Sequence, residues 1–325
     1  MARKLDIISI GDATLDTFIR VSDASLMCTV DRENCLLCFN YADKIPIVSL
    51  DRTVAGNAAN NAVGSARLGM QAAFYSVIGD DEVGRMIRAT MKKEGVSEDY
   101  LVIDKKRPSN YSVVLNYQGE RTILYYSEPR TYKLPPLAPA SWMYYTAIGS
   151  NHHSLERSML AYLKRHKTKL GYNPGTGQIR EGLKRLKPLL AVTEVLFVNK
   201  QEAEQLVGRR GEMHELAAAL RQTGPKIVVI TDGPRGAHAF DGSHLWKMGV
   251  FPAKVVEMTG AGDSFATGFV AALHRGLGVA DALKWGSANS AGVIGKIGPQ
   301  AGLQTVAGIK KMITTYKAVK PVEES

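Results

Sequence analysis

Thr259-Gly260-Ala261-Gly262-Asp263-Ser264-Phe265 is a glycine-rich turn that runs straight into an amphipathic pattern. Phe265, Phe269 and Leu273 form the apolar stripe of a helix, and His274-Arg275 followed by Gly276 suits its negative end and a left-handed stop. Residues 254–256, just upstream, read as a strand. A helix start with so little side-chain bulk presents free backbone N–H groups, and the helix dipole favours negative charge there. An aspartate at an anion site repels its ligand. Asp263 makes sense as a base that takes a proton from a hydroxyl while that hydroxyl attacks phosphorus. From this stretch alone, an aspartate capping a helix after a turn is the more economical account.

Short apolar runs alternate with helical patterns on either side of this stretch, which predicts βαβ units and a mostly parallel sheet. Strands are expected at residues 7–10, 74–78, 142–148, 168–172, 195–198 and 226–231. Helices are expected at 58–68, closing at Gly69, at 83–91, closing at Gly95, and around Leu216 and Leu220. Two segments break the rhythm. Residues 111–117 and 122–126 flank the turn Gln118-Gly119-Glu120 and read as a β-hairpin, while residues 17–53 are too long and irregular for a plain connection. Both are assigned to a β-rich lid, residues 17–53 and 107–130, on an α/β core of residues 1–16, 54–106 and 131–325. No independent second domain is expected, although 325 residues at ~150 per domain suggest about two units.

Composition sets bounds. Hydrophobic residues make up 45% and charged residues 22%, so a folded globular chain is expected. No apolar run nears the ~18 residues of a membrane helix, and the start does not read as a signal peptide. The net charge is 41 − 31 = +10, spread along the chain, and nothing resembles a DNA-reading motif. Three cysteines, an odd number, argue against a disulfide framework and for the cytoplasm. Cys28, Cys35 and Cys38 form a C-x6-C-x2-C pattern, for which ordinary reduced thiols are favoured over Zn2+ with Asp31 or Glu33 as fourth ligand. His152-His153 reads as a polar loop after a strand rather than a ligand pair.

Other strand ends carry candidate chemistry. Asp12 and Asp16, four residues apart after the first strand, could converge on vicinal hydroxyls or serve as turn and cap residues. Gly56, Asn57 and Asn60 open the next helix with amides and little bulk, which suits a sugar against backbone. Thr231, Gly233 and Gly236 form a second possible phosphate nest, with Arg235 as a helper. Asn199 and Glu202 have the spacing of a capping box, and Glu202 could also position magnesium through water. In a parallel sheet these ends share one edge, where ligands bind. Phe39, Tyr41, Tyr111, Tyr117, Tyr125 and Tyr126 in the lid suit a stacked nucleobase or simple lid packing.

Together these residues resemble the PfkB family of carbohydrate and nucleoside kinases, from about residue 7 to residue 301. Ala55-Gly56, Asn60, Ala62, Gly69 and Gly79, then Asp80-Asp81 and Gly84, resemble its N-terminal signature, and Gly260-Ala261-Gly262-Asp263 its second. Asn199–Glu202 looks like the family's N-x-x-E element, and Gly119-Glu120-Arg121-Thr122 like its lid hairpin. The resemblance implies a three-layer α/β/α ribokinase-like core with a small β-sheet lid, ATP as donor and Mg2+ as the working ion. It implies Asp263 as catalytic base and the amides of Gly260, Ala261 and Gly262 as the anion hole. Asp12, Asp16, Gly56, Asn57 and Asn60 would hold the acceptor, Thr231, Gly233 and Gly236 the nucleotide phosphates, and Asn289 would lie near the base. Three departures stand out. Glu257-Met258 replaces the usual Asp-Thr, which puts a monovalent-cation site in doubt. Thr267 stands where a smaller residue is common, a minor packing change. Glu128-Pro129-Arg130 ends the lid hairpin, so Arg130 could meet an anionic acceptor or be an exposed loop arginine. The expected activity is phosphoryl transfer from ATP to a hydroxyl of a sugar or nucleoside. The alternatives are a sugar-phosphate kinase and a nucleotide- or sugar-binding regulator without turnover. A homodimer through the lid is plausible because an open lid sheet leaves exposed edges.

Overall fold

Alternate residues of the central strands bury on opposite faces, so each strand reads as a nearly continuous apolar run. Phe74 and Ile78 face one core cluster while Ala73, Tyr75 and Val77 face the other, and Val195 and Phe197 alternate with Leu196 and Val198. Such runs belong to parallel sheets covered on both faces. The computed structural model describes residues 4–28, 35–118 and 120–324. The N-terminal part runs β1 (Leu5–Ile10), β2 (Thr14–Val21), β3 (Ser25–Cys28), β4 (Cys35–Cys38), β5 (Ile47–Ala55), α1 (Asn57–Arg67), β6 (Ala72–Gly79), α2 (Glu82–Lys93) and β7 (Ser97–Asp104). The middle runs β8 (Asn110–Tyr117), β9 (Glu120–Tyr126), β10 (Ala140–Tyr145), α3 (His153–His166), β11 (Lys169–Tyr172), α4 (Thr176–Arg180), α5 (Leu183–Leu190), β12 (Thr193–Asn199), α6 (Lys200–Val207) and α7 (Met213–Arg221). The chain closes with β13 (Ile227–Thr231), β14 (Ala237–Phe240), β15 (Leu245–Met248), α8 (Ala261–His274), α9 (Val279–Ile294), α10 (Val306–Thr315) and β16 (Val322–Glu324).

Among the described residues, ten strands form one sheet in the order β16-β15-β14-β13-β12-β11-β10-β1-β6-β7. It is parallel from β7 to β13 and antiparallel beyond. β1 lies between β6 and β10, so the chain builds outward from it in both directions. That reversal leaves a crevice at the carboxyl ends of the central strands. The fold is the ribokinase-like α/β fold expected from the sequence.

A second sheet, β5-β2-β8-β9, combines the two segments that broke the helix–strand rhythm. β2 follows β1 after only three residues, and β5 leads directly into α1. The sheet is thereby hinged to the same end of β1 that carries the crevice. The predicted turn residue Gly119 lies outside the described residues.

Two expectations are corrected. Residues 254–256 are not a strand: Val255 and Val256 are exposed, and the Val256 N–H bonds to the Ile294 carbonyl at 2.8 Å rather than to a neighbouring strand. The cysteines neither stay reduced together nor form a thiolate cluster. β3 and β4 pair antiparallel with Cys28 opposite Cys35, and the two are joined as a disulfide with Cα atoms 4.0 Å apart, leaving Cys38 free. An odd count excludes a full pairing, not a single bridge. The candidate zinc ligands Asp31 and Glu33 lie outside the described residues. No helix among those described is long and apolar enough to cross a membrane.

Candidate active site

α8 begins at the glycine-rich turn. Gly260 sits at φ +81°, and a Cβ there would fall 2.5 Å from the Pro299 side chain, so both conformation and space demand glycine. No side chain caps this helix end. Around Gly262 a Cβ would meet nothing within 4 Å, so the first turn opens onto free space. α1 packs beside it, entered through Gly56 at φ +105°, where a Cβ would come within 2.4 Å of the Asp12 carbonyl. Its first turn also lacks a side-chain cap and carries no acid.

A polar network fixes the two helix starts against each other. The Asn60 amide donates to Asp263 Oδ2 at 2.8 Å, and Gln300 donates to Asn60 Oδ1 at 3.1 Å, which sets which end of the Asn60 amide faces the acid. Ser9 donates to Asn61 at 2.6 Å, Asn61 to the Thr267 hydroxyl at 2.9 Å, and Thr267 to the Asp263 carbonyl at 2.6 Å. Thr267 is therefore more than a packing change: its hydroxyl bridges the two helices. Side chains locked in this way hold Asp263 in one geometry.

The crevice is a cavity of about 410 Å³. Asp16, Gly56, Asn57, Asn60, Asn199, Glu202, Thr231 and the 260–263 turn all line it, so residues from five chain segments meet in one space. Burial pushes the Asp263 carboxyl up to about 6, opposed by the Asn60 amide. Asp16 is raised to about 6, chiefly by burial, with the Glu257 charge adding and the Ser112 and Thr14 hydroxyls opposing; its Oδ1 is buried without a partner. Burial and the Asp263 charge also raise Glu202. Asn199 and Glu202 form the predicted capping box, with Asn199 N–H to Glu202 Oε2 at 2.8 Å and Glu202 N–H to Asn199 Oδ1 at 2.9 Å. Glu257 is buried and turns one oxygen to the Thr259 N–H at 2.7 Å and to its hydroxyl, bracing the turn; Oε2 has no partner.

Several predicted residues lie elsewhere. Asp12 does not line the cavity: it accepts from the Tyr132 hydroxyl at 2.9 Å and the Gly149 N–H at 2.8 Å, with burial raising its carboxyl to about 6. Arg130 is neither an exposed arginine nor a cavity residue. Its side chain is fully buried, paired with Asp104 at 3.0 Å and donating to the Arg107 and Pro108 carbonyls. Asn289, also fully buried, donates to the Ser264 carbonyl at 2.7 Å and accepts from the Gln304 N–H at 2.9 Å, so one end of its amide joins α9 to α8 and the other holds the segment leading into α10. Gly233 and Gly236 lie beyond the cavity wall, and Arg235 folds back onto Asp232 in a bidentate pair at 2.7 Å. Gly236 has a packing reason of its own, since a Cβ would fall 2.0 Å from the Met248 carbonyl.

The structure adds lining residues that the sequence reading passed over. Asn173, at the end of β11, donates to the Phe197 carbonyl at 2.8 Å; its place in Tyr172-Asn173-Pro174-Gly175 at a strand end was the available signal. Thr14, Ser112, Arg121 and Ile123 reach the cavity from the second sheet.

The sequence and the fold have known counterparts. The sequence matches the pfkB family carbohydrate kinase family over residues 22–306. It is 30% identical over 286 residues to the 5-dehydro-2-deoxygluconokinase of Shouchella clausii (strain KSM-K16), covering 82% of this chain and 87% of that one. It is 29% identical to the fructokinase of Klebsiella pneumoniae, covering 67% of this chain and 76% of that one. Arabidopsis thaliana ribokinase, solved in complex with ribose and ATP, superposes with a TM-score of 0.78 at 18% identity, covering 96% of this chain and 99% of that one. An acid at an uncapped helix start, in a crevice at the sheet's carboxyl edge, thus sits in a chain that belongs to the pfkB family of carbohydrate kinases, phosphotransferases with an alcohol group as acceptor.

Proposed function

We propose that the chain transfers the γ-phosphoryl group of ATP to a hydroxyl of a small sugar-type acceptor bound between Asp16 and the start of α8. The observation that carries this reading is Asp263: a buried carboxylate, hydrogen-bonded through its side chain to Asn60, at a helix start that no side chain caps and that is open around Gly262. Asp263 takes the hydroxyl proton as the acceptor oxygen bonds to the γ-phosphorus and the bond to the β–γ bridging oxygen breaks, releasing ADP. The amides of Gly260 and Gly262 face the charge carried by the transferring group, whereas the Ala261 N–H expected to join them donates to the Met258 carbonyl at 3.3 Å. Asp16, with one buried oxygen unpartnered, accepts from acceptor hydroxyls, and Gly56, Asn57 and Asn60 flank them. Thr231 and Asn199 lie along the donor side of the cavity.

Glu202 and Asn199 fit a magnesium ion held through water, since the Asp263 charge in the same cavity disfavours ionised Glu202 and a cation relieves that repulsion. Such an ion, when bound with the nucleotide, neutralises donor phosphates. The sheet of β5, β2, β8 and β9 serves as the lid that excludes water. Its exposed Leu50, Leu124 and Tyr125 support a second copy as partner. A nucleotide donor supports a cytoplasmic setting.

Arg121, the one arginine or lysine among the described cavity-lining residues, favours an acceptor that carries a carboxylate. The 5-dehydro-2-deoxygluconokinase relative points the same way. A coupled ADP-release assay with 5-dehydro-2-deoxygluconate, fructose, ribose, a nucleoside and fructose phosphates tests both levels. The sugar acid is expected to give the highest kcat/KM, and Arg121→Ala to raise its KM about tenfold while leaving neutral sugars unchanged. Preference for a neutral sugar or nucleoside would overturn the sugar-acid assignment, and no turnover with any acceptor would overturn phosphoryl transfer.

A further inference from the structure

His152, His153, Glu156 and Glu181 meet at the start of α3, outside the cavity. The pair is not a loop as expected: His152 is the residue before the helix and His153 its first. His152 is 3% exposed, and its Nδ1 lies 2.9 Å from the Gly149 carbonyl. Donation from Nδ1 to that carbonyl leaves Nε2 with its lone pair free, the arrangement by which a backbone carbonyl orients a metal-binding imidazole. Nε2 is buried and has no hydrogen-bond partner, nor has Nδ1 of His153.

The separations are informative. His152 Nε2 is 3.5 Å from Glu181 Oε1 and 3.5 Å from Glu156 Oε1, and His153 Nε2 is 3.9 Å from Glu181 Oε1. Two of these carboxylate oxygens approach a single buried ring nitrogen, at distances beyond the ordinary N–H···O range of 2.7–3.2 Å. Ligands at 2.0–2.1 Å around a tetrahedral ion stand about 3.3–3.4 Å from one another. The two 3.5 Å gaps around His152 Nε2 lie closer to such an edge than to a hydrogen bond, and the 3.9 Å gap from His153 is about half an ångström longer than the edge. One atom from each of His152, His153 and Glu181 can be chosen so that all lie within 4.8 Å of one another.

We propose that His152 Nε2, His153 Nε2 and Glu181 Oε1 form a binding site for a divalent cation of the zinc class, with Glu156 as neighbouring carboxylate. The donor set of two imidazoles and a carboxylate suits such an ion rather than magnesium, which takes oxygen. Outer contacts hold the carboxylates: Tyr145 donates to Glu156 Oε1 at 3.1 Å, and Arg185 faces the other oxygen of Glu181 at 3.7 Å. The positive end of α3 opposes a cation, and Glu156 in its first turn offsets that field. His153 and Glu181 are partly exposed, which gives the ion a path in. Gly149 joins the site to Asp12, since its N–H donates to Asp12 and its carbonyl meets His152.

The test is metal binding by chelator-stripped protein without nucleotide. Zn2+ is titrated calorimetrically and Co2+ by visible absorption, in wild type, His153→Asn, Glu181→Gln and Glu202→Gln, with thermal melts of the metal-free proteins as a fold control. One Zn2+ per chain is expected, with affinity at least tenfold weaker in His153→Asn and Glu181→Gln and unchanged in Glu202→Gln. Co2+ should show visible bands without a thiolate charge-transfer band. Absence of stoichiometric binding, equal binding by the first two variants, loss in Glu202→Gln instead, or a thiolate band from the cysteines would each overturn the site.

Discussion

Replacing Asp263 by asparagine is expected to stabilise the ligand-free protein at neutral and alkaline pH. The carboxyl is raised by burial from 3.8 to about 6, so its folded form prefers the proton more than its unfolded form does. Below the unfolded value both states are protonated and burial of this group carries no ionic cost. As pH rises through the folded value the buried carboxylate must ionise, and the cost reaches its full value above it. About two units at 1.36 kcal/mol each give a penalty of about 3 kcal/mol at pH 8. Asparagine keeps an oxygen for the Asn60 amide and removes the charge. With about 2.1 cal/mol/K per residue of unfolding entropy, 3 kcal/mol over this chain is a shift of about 4 °C. Relief of Glu202, which feels the Asp263 charge, acts in the same direction. Thermal denaturation of both ligand-free proteins at pH 4 and pH 8 measures it. The variant should melt about 4 °C higher at pH 8 and within about 1 °C at pH 4. No gain at pH 8, or the same gain at both, would refute the argument that charge desolvation sets the acid.

Other outcomes follow from the same contacts. Asn60→Ala removes the hydrogen bond that holds the Asp263 carboxyl down, so the acidic limb of the kcat/KM profile should move to higher pH; an unmoved limb would separate Asn60 from the acid. Arg130→Met should cost about 2–4 kcal/mol in urea denaturation, through lost bonds to Asp104 and two carbonyls, while acceptor KM stays within about twofold; a large KM effect with stability intact would return Arg130 to the site.

The central sheet was legible because its strands are buried on both faces, and runs such as residues 195–198 can be little else. Helix ends were marked by residues whose chemistry is local: Gly69 and Gly95 have positive φ, and Asn199 with Glu202 closes its box within four residues. The strand expected at 254–256 failed because two valines carry β-propensity without a partner to pair with, and propensity decides little without neighbours. β14 to β16 were missed because they are only three or four residues long, too short to show a period. At the site, Asp263, Asn60, Asp16 and Glu202 could be placed together because parallel strands end on one edge. Long-range partners misled the rest. Arg130 is claimed by Asp104 and Asn289 by Ser264 and Gln304, and nothing in sequence spacing announces either. The disulfide likewise depends on the register of β3 against β4, which a cysteine count does not contain.

Turnover by Asp263→Asn is the most direct measurement of the account. In a coupled ADP-release assay with an acceptor that the wild type phosphorylates, kcat should fall by about 10²–10⁴-fold, while ATP affinity measured by calorimetry stays within about twofold. Near-wild-type kcat in a variant that binds ATP normally would show that Asp263 is not the base, and would contradict the mechanism drawn from its place at the head of α8.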